Sequence, residues 1–174
     1  RSQRGEWCVI GYCDLDNFKP FNDVYGYAKG DAVIRLTARI LGETCNPDRD
    51  FLGHIGGDDF LVIFRSPDWQ ERCQHALEYF AAAITEFFAR DDVERGGYVT
   101  DNRKGQLEFH AITSLSIGIV EAVPGMFANH LSIAKVAAEV KKKAKAIAGN
   151  SLYVNRRTYQ EEAAPSGGET GGTT

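Results

Sequence analysis

The stretch Ile55-Gly56-Gly57-Asp58-Asp59-Phe60 constrains this chain more than any other. Apolar runs flank it, Phe51 to Ile55 before and Phe60 to Phe64 after, so the two glycines and two aspartates read as the tight connection of a β-hairpin. Adjacent glycines allow positive φ and let a ligand approach the main chain, while the two carboxylates are held together at the tip. Such a tip suits a cation or a metal-bound phosphate. It equally suits a solvated acidic turn, and these six residues alone do not choose between the two.

The rest of the chain supplies the frame. Trp7-Cys8-Val9-Ile10-Gly11-Tyr12-Cys13 is apolar throughout, as expected of a central strand covered on both faces, and it stops at Asp14. Asp16 or Asn17 can cap a short helix that Gly26 ends. From Gly30 a second helix puts Val33, Leu36, Ile40 and Leu41 on one face, with Asp31 in its first turn and Gly42 as a stop. Ser66-Pro67-Asp68 starts a third helix whose apolar positions run from Trp69 through Phe80 to Phe88. Gly96 to Gly105 reads as a loop or β-excursion, and Phe109 to Val123 as one strand. A last helix runs from about Ser132 to Ala148 and carries Lys141, Lys142, Lys143 and Lys145 in its final turns, where the helix dipole favours cations and solvent usually takes them. Ser151 to Val154 closes the chain as a short strand. The order β, α, α, β, β, α, β, α, β predicts an α/β (α+β) fold with a central mixed β-sheet flanked by helices.

A chain of 174 residues fits one domain, here 1–158, followed by a glycine, serine, threonine and glutamate tail over 159–174 that reads as disordered. The net charge of -4 gives no basic footprint, so DNA and RNA are not expected partners. The longest apolar runs are too short to span a bilayer and no charged-then-apolar leader opens the chain, which predicts a cytoplasmic domain without membrane contact. Cys8, Cys13, Cys45 and Cys73 lack metal-ligand spacing and read as reduced, buried thiols. The chain opens at Arg1 rather than methionine, so it reads as a piece of a longer protein with further domains.

The chemistry concentrates where the first strand ends. If that strand pairs beside the hairpin, Asp14 and Asp58 share one rim of the sheet, with Asp16 and Asp59 near them. Like charges this close raise each other's pKa unless a cation is present, and oxygen donors without His or Cys point to Mg²⁺ or Mn²⁺. Each acid also has a purely structural use: Asp16 as a helix cap, Asp31 as a charge offsetting the helix dipole, Asp23 as a turn former.

Asp14-Leu15-Asp16-Asn17-Phe18-Lys19, Asn22-Asp23, Gly26, Gly30-Asp31 and Gly56-Gly57-Asp58-Asp59-Phe60 together resemble the GGDEF domain, here with a GGDDF signature. The strand Ser114-Leu115-Ser116-Ile117-Gly118 and the last helix ending in Ala144-Lys145 fit as well, so the likeness runs from about Trp7 to Val154. The resemblance implies a fold similar to the adenylyl cyclase and polymerase palm, and a diguanylate cyclase that condenses two GTP into cyclic di-GMP and two pyrophosphates. It implies that Asp14, Asp58 and the Leu15 carbonyl bind metal and that Asn22 and Asp31 read guanine. Asn17, Phe18, Lys19 and Lys145 would hold phosphates, and Asp59 takes the place of the second acidic signature residue needed for activity. Each domain holds one GTP, so a homodimer is expected for catalysis, governed by appended domains.

The chain departs from the family pattern at several positions. Asp59 is one methylene shorter than the usual glutamate, His54 stands for the usual arginine two residues before the first glycine, and Tyr27 stands for the usual histidine. No arginine follows Lys145, leaving Lys141, Lys142 or Lys143 as substitutes. The product-inhibition motif is reduced to Asp50, since Pro47 occupies its arginine position. These departures keep a second reading open, a catalytically degenerate module that binds GTP or cyclic di-GMP and regulates an attached domain.

Overall fold

Strand β1, Cys8–Asp16, lies in the middle of a five-stranded sheet and carries the chain from the core to the rim where the acidic residues begin. The structure, a computed structural model, describes residues 7–122 and 130–155; the tail over 159–174 lies outside the described residues. After β1 come helices α1 (Phe18–Tyr25) and α2 (Tyr27–Thr44), then the hairpin strands β2 (Phe51–Gly56) and β3 (Asp59–Phe64). Helix α3 (Trp69–Ala83) tightens into a 3₁₀ turn over Ile84–Phe87 and is followed by the short helix α4 (Arg90–Arg95). Strands β4 (Gly97–Asp101) and β5 (Leu107–Ala111), strand β6 (Ser114–Ala122), helix α5 (His130–Lys145) and strand β7 (Ser151–Asn155) complete the order.

The main sheet runs β2-β3-β1-β6-β7. Strand β1 is antiparallel to both β3 and β6, whereas β6 and β7 are parallel, so the sheet is mixed as the hairpin and the α5 crossover require. Its two faces are unequal. Val9, Cys13 and Leu15 point to one face with Phe60, Val62 and Phe64 of β3 and Leu115, Ile117 and Ile119 of β6, and this layer meets Val33, Leu36 and Ile40 of α2 and Trp69, Leu77 and Phe80 of α3. Among the described residues the opposite face is covered by α5, through Val136 and Val140 packed on Val120 with Tyr12 and Tyr153 beside them. Strand β1 is therefore central but alternates between buried and half-buried, a correction to the expectation of full cover on both faces: its apolar run hides a period of two because the second face also carries apolar residues.

Helix α5 approaches the sheet closely at Gly118. A side chain there would come within 2.7 Å of the Val140 carbonyl, so only glycine lets the helix settle onto β6. That seating fixes the height of Lys141 and Lys145 over the rim.

Several boundaries differ from the sequence expectation. Helix α2 begins at Tyr27, not Gly30, because Gly26 at φ 93° both ends α1, donating its N–H to Asn22 O at 2.9 Å, and opens α2. Asp31 thus falls beyond the first turn, and the helix runs through Gly42 to Thr44. Asn17 precedes α1 in the left-handed region at φ 57° and makes no side-chain cap. The stretch expected as one strand over Phe109–Val123 is two, broken at Ile112 and Thr113: β5 pairs with β4 in a separate two-stranded sheet, and β6 pairs with β1. All four cysteines are free, and burial pushes the Cys13 and Cys73 thiols up. Among the described residues no helix is long and apolar enough to cross a membrane.

Candidate active site

Three elements converge at the rim. Strand β1 delivers Asp14, the β2–β3 tip delivers Asp58 and Asp59, and the last turns of α5 deliver Lys141 and Lys145. The register sets the first pair: Cys13 faces Phe60 across β1 and β3, so the next residue of β1 and the residues just before β3 must lie together. Carboxylate oxygens of Asp14, Asp58 and Asp59 lie within 4.8 Å of one another. Asp14 is 5% exposed, and its Oδ1 accepts no hydrogen bond among the described residues. A buried carboxylate oxygen with nothing to accept, facing two further carboxylates, has the donor chemistry of a hard divalent cation site.

Two ammonium groups neutralise the cluster from above. Lys145 Nζ donates to Asp14 Oδ2 at 2.8 Å and to the Leu15 carbonyl at 3.2 Å. Lys141 Nζ donates to Asp59 Oδ1 at 2.7 Å and lies 3.3 Å from Asp14 Oδ2. Burial opposes both ammonium charges, but the facing carboxylates outweigh it and raise both pKa values. Burial and the neighbouring Asp14 push Asp58 up to about 6. Asp14 moves the other way: burial alone would lift it, but the adjoining Asp58 carboxyl and the two lysines outweigh burial and hold it below the usual carboxylate range. The less exposed acid is the stronger one, and its neighbour holds a proton more tightly than a free aspartate does.

Asp16 is not a helix cap. Its Oδ2 accepts the Ser114 hydroxyl at 2.7 Å and the Ser116 hydroxyl at 2.6 Å, and Lys145 lies 3.4 Å from Oδ1. Both serines stand opposite β1 in register, Ser114 against Asp16 and Ser116 against Asp14, so the polar positions of β6 serve the rim.

The remaining candidates surround this centre. Asn17 hands its carbonyl to the Phe21 N–H at the start of α1 and to the Thr113 hydroxyl at 3.4 Å. Phe18 is half-buried, its ring 6.2 Å from that of Phe21. Lys19 lines a cleft of about 620 Å³ between α1 and the β4–β5 hairpin, together with Asp23, Arg103 and His110. Asn22 lies at the α1–α2 corner with its Oδ1 buried and without a hydrogen-bond partner among the described residues, directly against Gly30, where any Cβ would overlap it. Asp31 follows on the exposed side of that corner.

Asp50 is engaged by the backbone around it. Its carboxylate accepts the N–H groups of Asn46 at 2.7 Å, Arg65 at 2.8 Å and Ser66 at 3.2 Å, plus the Ser66 hydroxyl at 2.9 Å, and so ties the loop before β2 to the end of β3. Burial pushes this carboxyl up, but the Asn46 and Arg65 N–H groups with Ser66 outweigh it and leave the pKa below the usual range.

Sequence reasoning put Lys145 at the site and left Lys141, Lys142 or Lys143 as substitutes for a missing arginine; of these three, Lys141 is the one that reaches the carboxylates of Asp14 and Asp59. Its signal was there in the spacing of four, which stacks the two ammonium groups on one face of the helix. His54 is an addition: its ring stacks on Phe60 at 4.5 Å, and its Nε2 lies 2.7 Å from the Gly57 carbonyl.

Known proteins resemble this chain in sequence and in fold. Residues 1–100 match the family model described as diguanylate cyclase, GGDEF domain. A probable diguanylate cyclase of Escherichia coli strain K12, DgcT, is 34% identical over 94 residues, covering 54% of this chain and 18% of that protein. The cyclic di-GMP phosphodiesterase PdeR of the same organism is 40% identical over 76 residues, covering 43% of this chain and 10% of that protein. The chain therefore spans less than a fifth of the length of these relatives. The GGDEF domain of DgcB from Caulobacter crescentus, solved in complex with c-di-GMP, superposes with a TM-score of 0.58 at 24% identity, over 86% of this chain and 78% of that one.

Proposed function

This chain belongs to the GGDEF diguanylate cyclase family, and from that premise we propose that it condenses two GTP into cyclic di-GMP and two pyrophosphates across a homodimer of domains. The observation that carries the reading is the meeting of Asp14, Asp58 and Asp59 within 4.8 Å under two ammonium groups. In each half-reaction the 3′-hydroxyl oxygen of one GTP forms a bond to the α-phosphorus of the other. The bond from that phosphorus to the bridging oxygen breaks, pyrophosphate leaves with the electron pair, and the hydroxyl proton passes to solvent.

Asp14, the Leu15 carbonyl and Asp58 would hold Mg²⁺ or Mn²⁺, which when bound supplies Lewis-acid polarisation of the phosphate and of the attacking hydroxyl. Lys145 and Lys141 offer the triphosphate two positive charges beside the α5 end, and the backbone around Asn17 and Phe18, with Lys19, extends the phosphate path along α1. Asn22 and Asp31 read guanine. The Asn22 amide can bond acceptors on the base, and the exposed Asp31 carboxylate accepts from the guanine N1 and N2 groups. Asp59 completes the acidic set.

One observation favours a second reading, in which the domain binds GTP or cyclic di-GMP and regulates an attached enzyme: the Asp59 carboxylate is already engaged by Lys141 at 2.7 Å. Fusion of the domain to a dimeric coiled coil, followed by incubation with GTP and Mg²⁺, tests both. Cyclic di-GMP and pyrophosphate that vanish in Asp58→Ala support the cyclase. Nucleotide binding without product leaves the regulatory reading.

A further inference from the structure

The tip that carries Asp58 and Asp59 is built from the two most flexible residues available. Gly56 and Gly57 have φ of 153° and 54°, no atom would meet a side chain at either, and the β2–β3 pairing shifts register between His54 and Gly56. Neighbouring packing therefore does not hold this turn. A glycine pair left to itself samples many conformations, and a metal site tolerates few.

We propose that His54 is the positioning residue that locks this turn, so that Asp58 and Asp59 stay aimed at Asp14. The inference rests on the metal-site reading given above. His54 grips the tip at two points. Its ring lies on Phe60, the residue directly opposite it across the two strands, at 4.5 Å with the planes 12° apart. Phe60 is 1% exposed, so the ring leans on an immobile part of the core. Nε2 of His54 lies 2.7 Å from the Gly57 carbonyl. A carbonyl can only accept, so Nε2 carries the proton and donates. The strand residue before the bulge thus reaches over it and fixes the peptide that joins Gly57 to Asp58. Phe60 sets the ring, the ring sets the Gly57 carbonyl, and that peptide sets the direction in which Asp58 leaves the main chain.

The test separates the donor from the stack. His54→Phe keeps an aromatic ring over Phe60 and removes the N–H; His54→Gln restores a donor of similar reach. Amide hydrogen exchange, followed by nuclear magnetic resonance without metal, is expected to accelerate at residues 56–59 in His54→Phe and not in β1 or α3. Mn²⁺ affinity, read by isothermal titration, is expected to fall about tenfold in the same variant, the scale on which outer-shell partners act. His54→Gln recovers part of both. Tip exchange equal to wild type, or an Mn²⁺ affinity equal in the two proteins, overturns the proposal. Neither readout uses GTP, so a chain that binds Mn²⁺ but makes no cyclic di-GMP counts against the cyclase reading while leaving this one intact.

Discussion

Lys141 Nζ lies 2.7 Å from Asp59 and 3.3 Å from Asp14, so one ammonium group spans the hairpin tip and the central strand. It occupies the electrostatic position that a divalent ion would contest. Lys141→Met is expected to lower the stability of the metal-free domain by about 1 kcal/mol, the scale of a partly exposed ion pair, because Asp14 and Asp59 then face each other with one less counter-charge. Added Mg²⁺ is expected to restore more stability to this variant than to wild type. Thermal denaturation with and without the ion checks both.

Acidity offers a second handle. Asp58 titrates near 6 in the folded chain, and a free aspartate near about 3.9. The folded state therefore holds the proton more tightly, and that contribution is fully present below the unfolded value and lost as pH rises through 6. Asp14 shifts the opposite way, and its contribution is constant above the unfolded value. Between pH 5 and pH 7 the metal-free domain is expected to lose about 1 kcal/mol, after allowance for the half-exposed site. Urea titrations across that window check this, and Asp58→Asn should flatten the slope. Divalent-ion affinity should rise over the same window, since the ion must displace the proton.

Asp50→Asn removes an acceptor of three N–H groups and a hydroxyl at the junction of the β2 loop and β3. The expected loss is about 2 kcal/mol in urea denaturation at neutral pH, shrinking as pH falls through the depressed pKa of the wild-type acid. The carboxylate is committed to the fold, so affinity for cyclic di-GMP should be the same in wild type and in the folded variant. A loss of tight product binding in Asp50→Asn would return this residue to a regulatory role.

Gly118→Ala places a methyl group within 2.7 Å of the Val140 carbonyl. Helix α5 must lift from the sheet, at about 1–3 kcal/mol for an overpacked contact. Lys141 and Lys145 rise with it. Weaker GTP binding in a domain that still folds, measured by calorimetry beside a circular-dichroism melt, is the expected result.

Much of this was legible in the residues. Apolar runs around Gly56-Gly57 announced the hairpin, and the stop at Asp14 announced the end of the central strand, so the meeting of Asp14 with Asp58 followed from one assumption about strand pairing that the β1–β3 register bears out. Position-specific chemistry of the turn was harder. Gly26 serves two helices at once, and a propensity argument that assigns it to the first delays the second to Gly30. The β4–β5 hairpin was hidden because Leu107 to Val120 is almost continuously strand-like; the break at Ile112-Thr113 is made by a change of partner strand, which no local signal marks. The backbone contacts of Asp50 and His54 were not legible for a common reason: they depend on which backbone groups the fold leaves within reach, and side-chain identity is silent on that.

The unequal cover of the sheet separates survival from chemistry. The thick aromatic and aliphatic layer between the sheet and α2 and α3 contains none of the rim's acids or ammonium groups, which all belong to the thinly roofed side. Substitutions that silence the rim can therefore accumulate in a chain that still folds. A domain of this design can outlive its own reaction and persist as a nucleotide-sensing part of a larger machine.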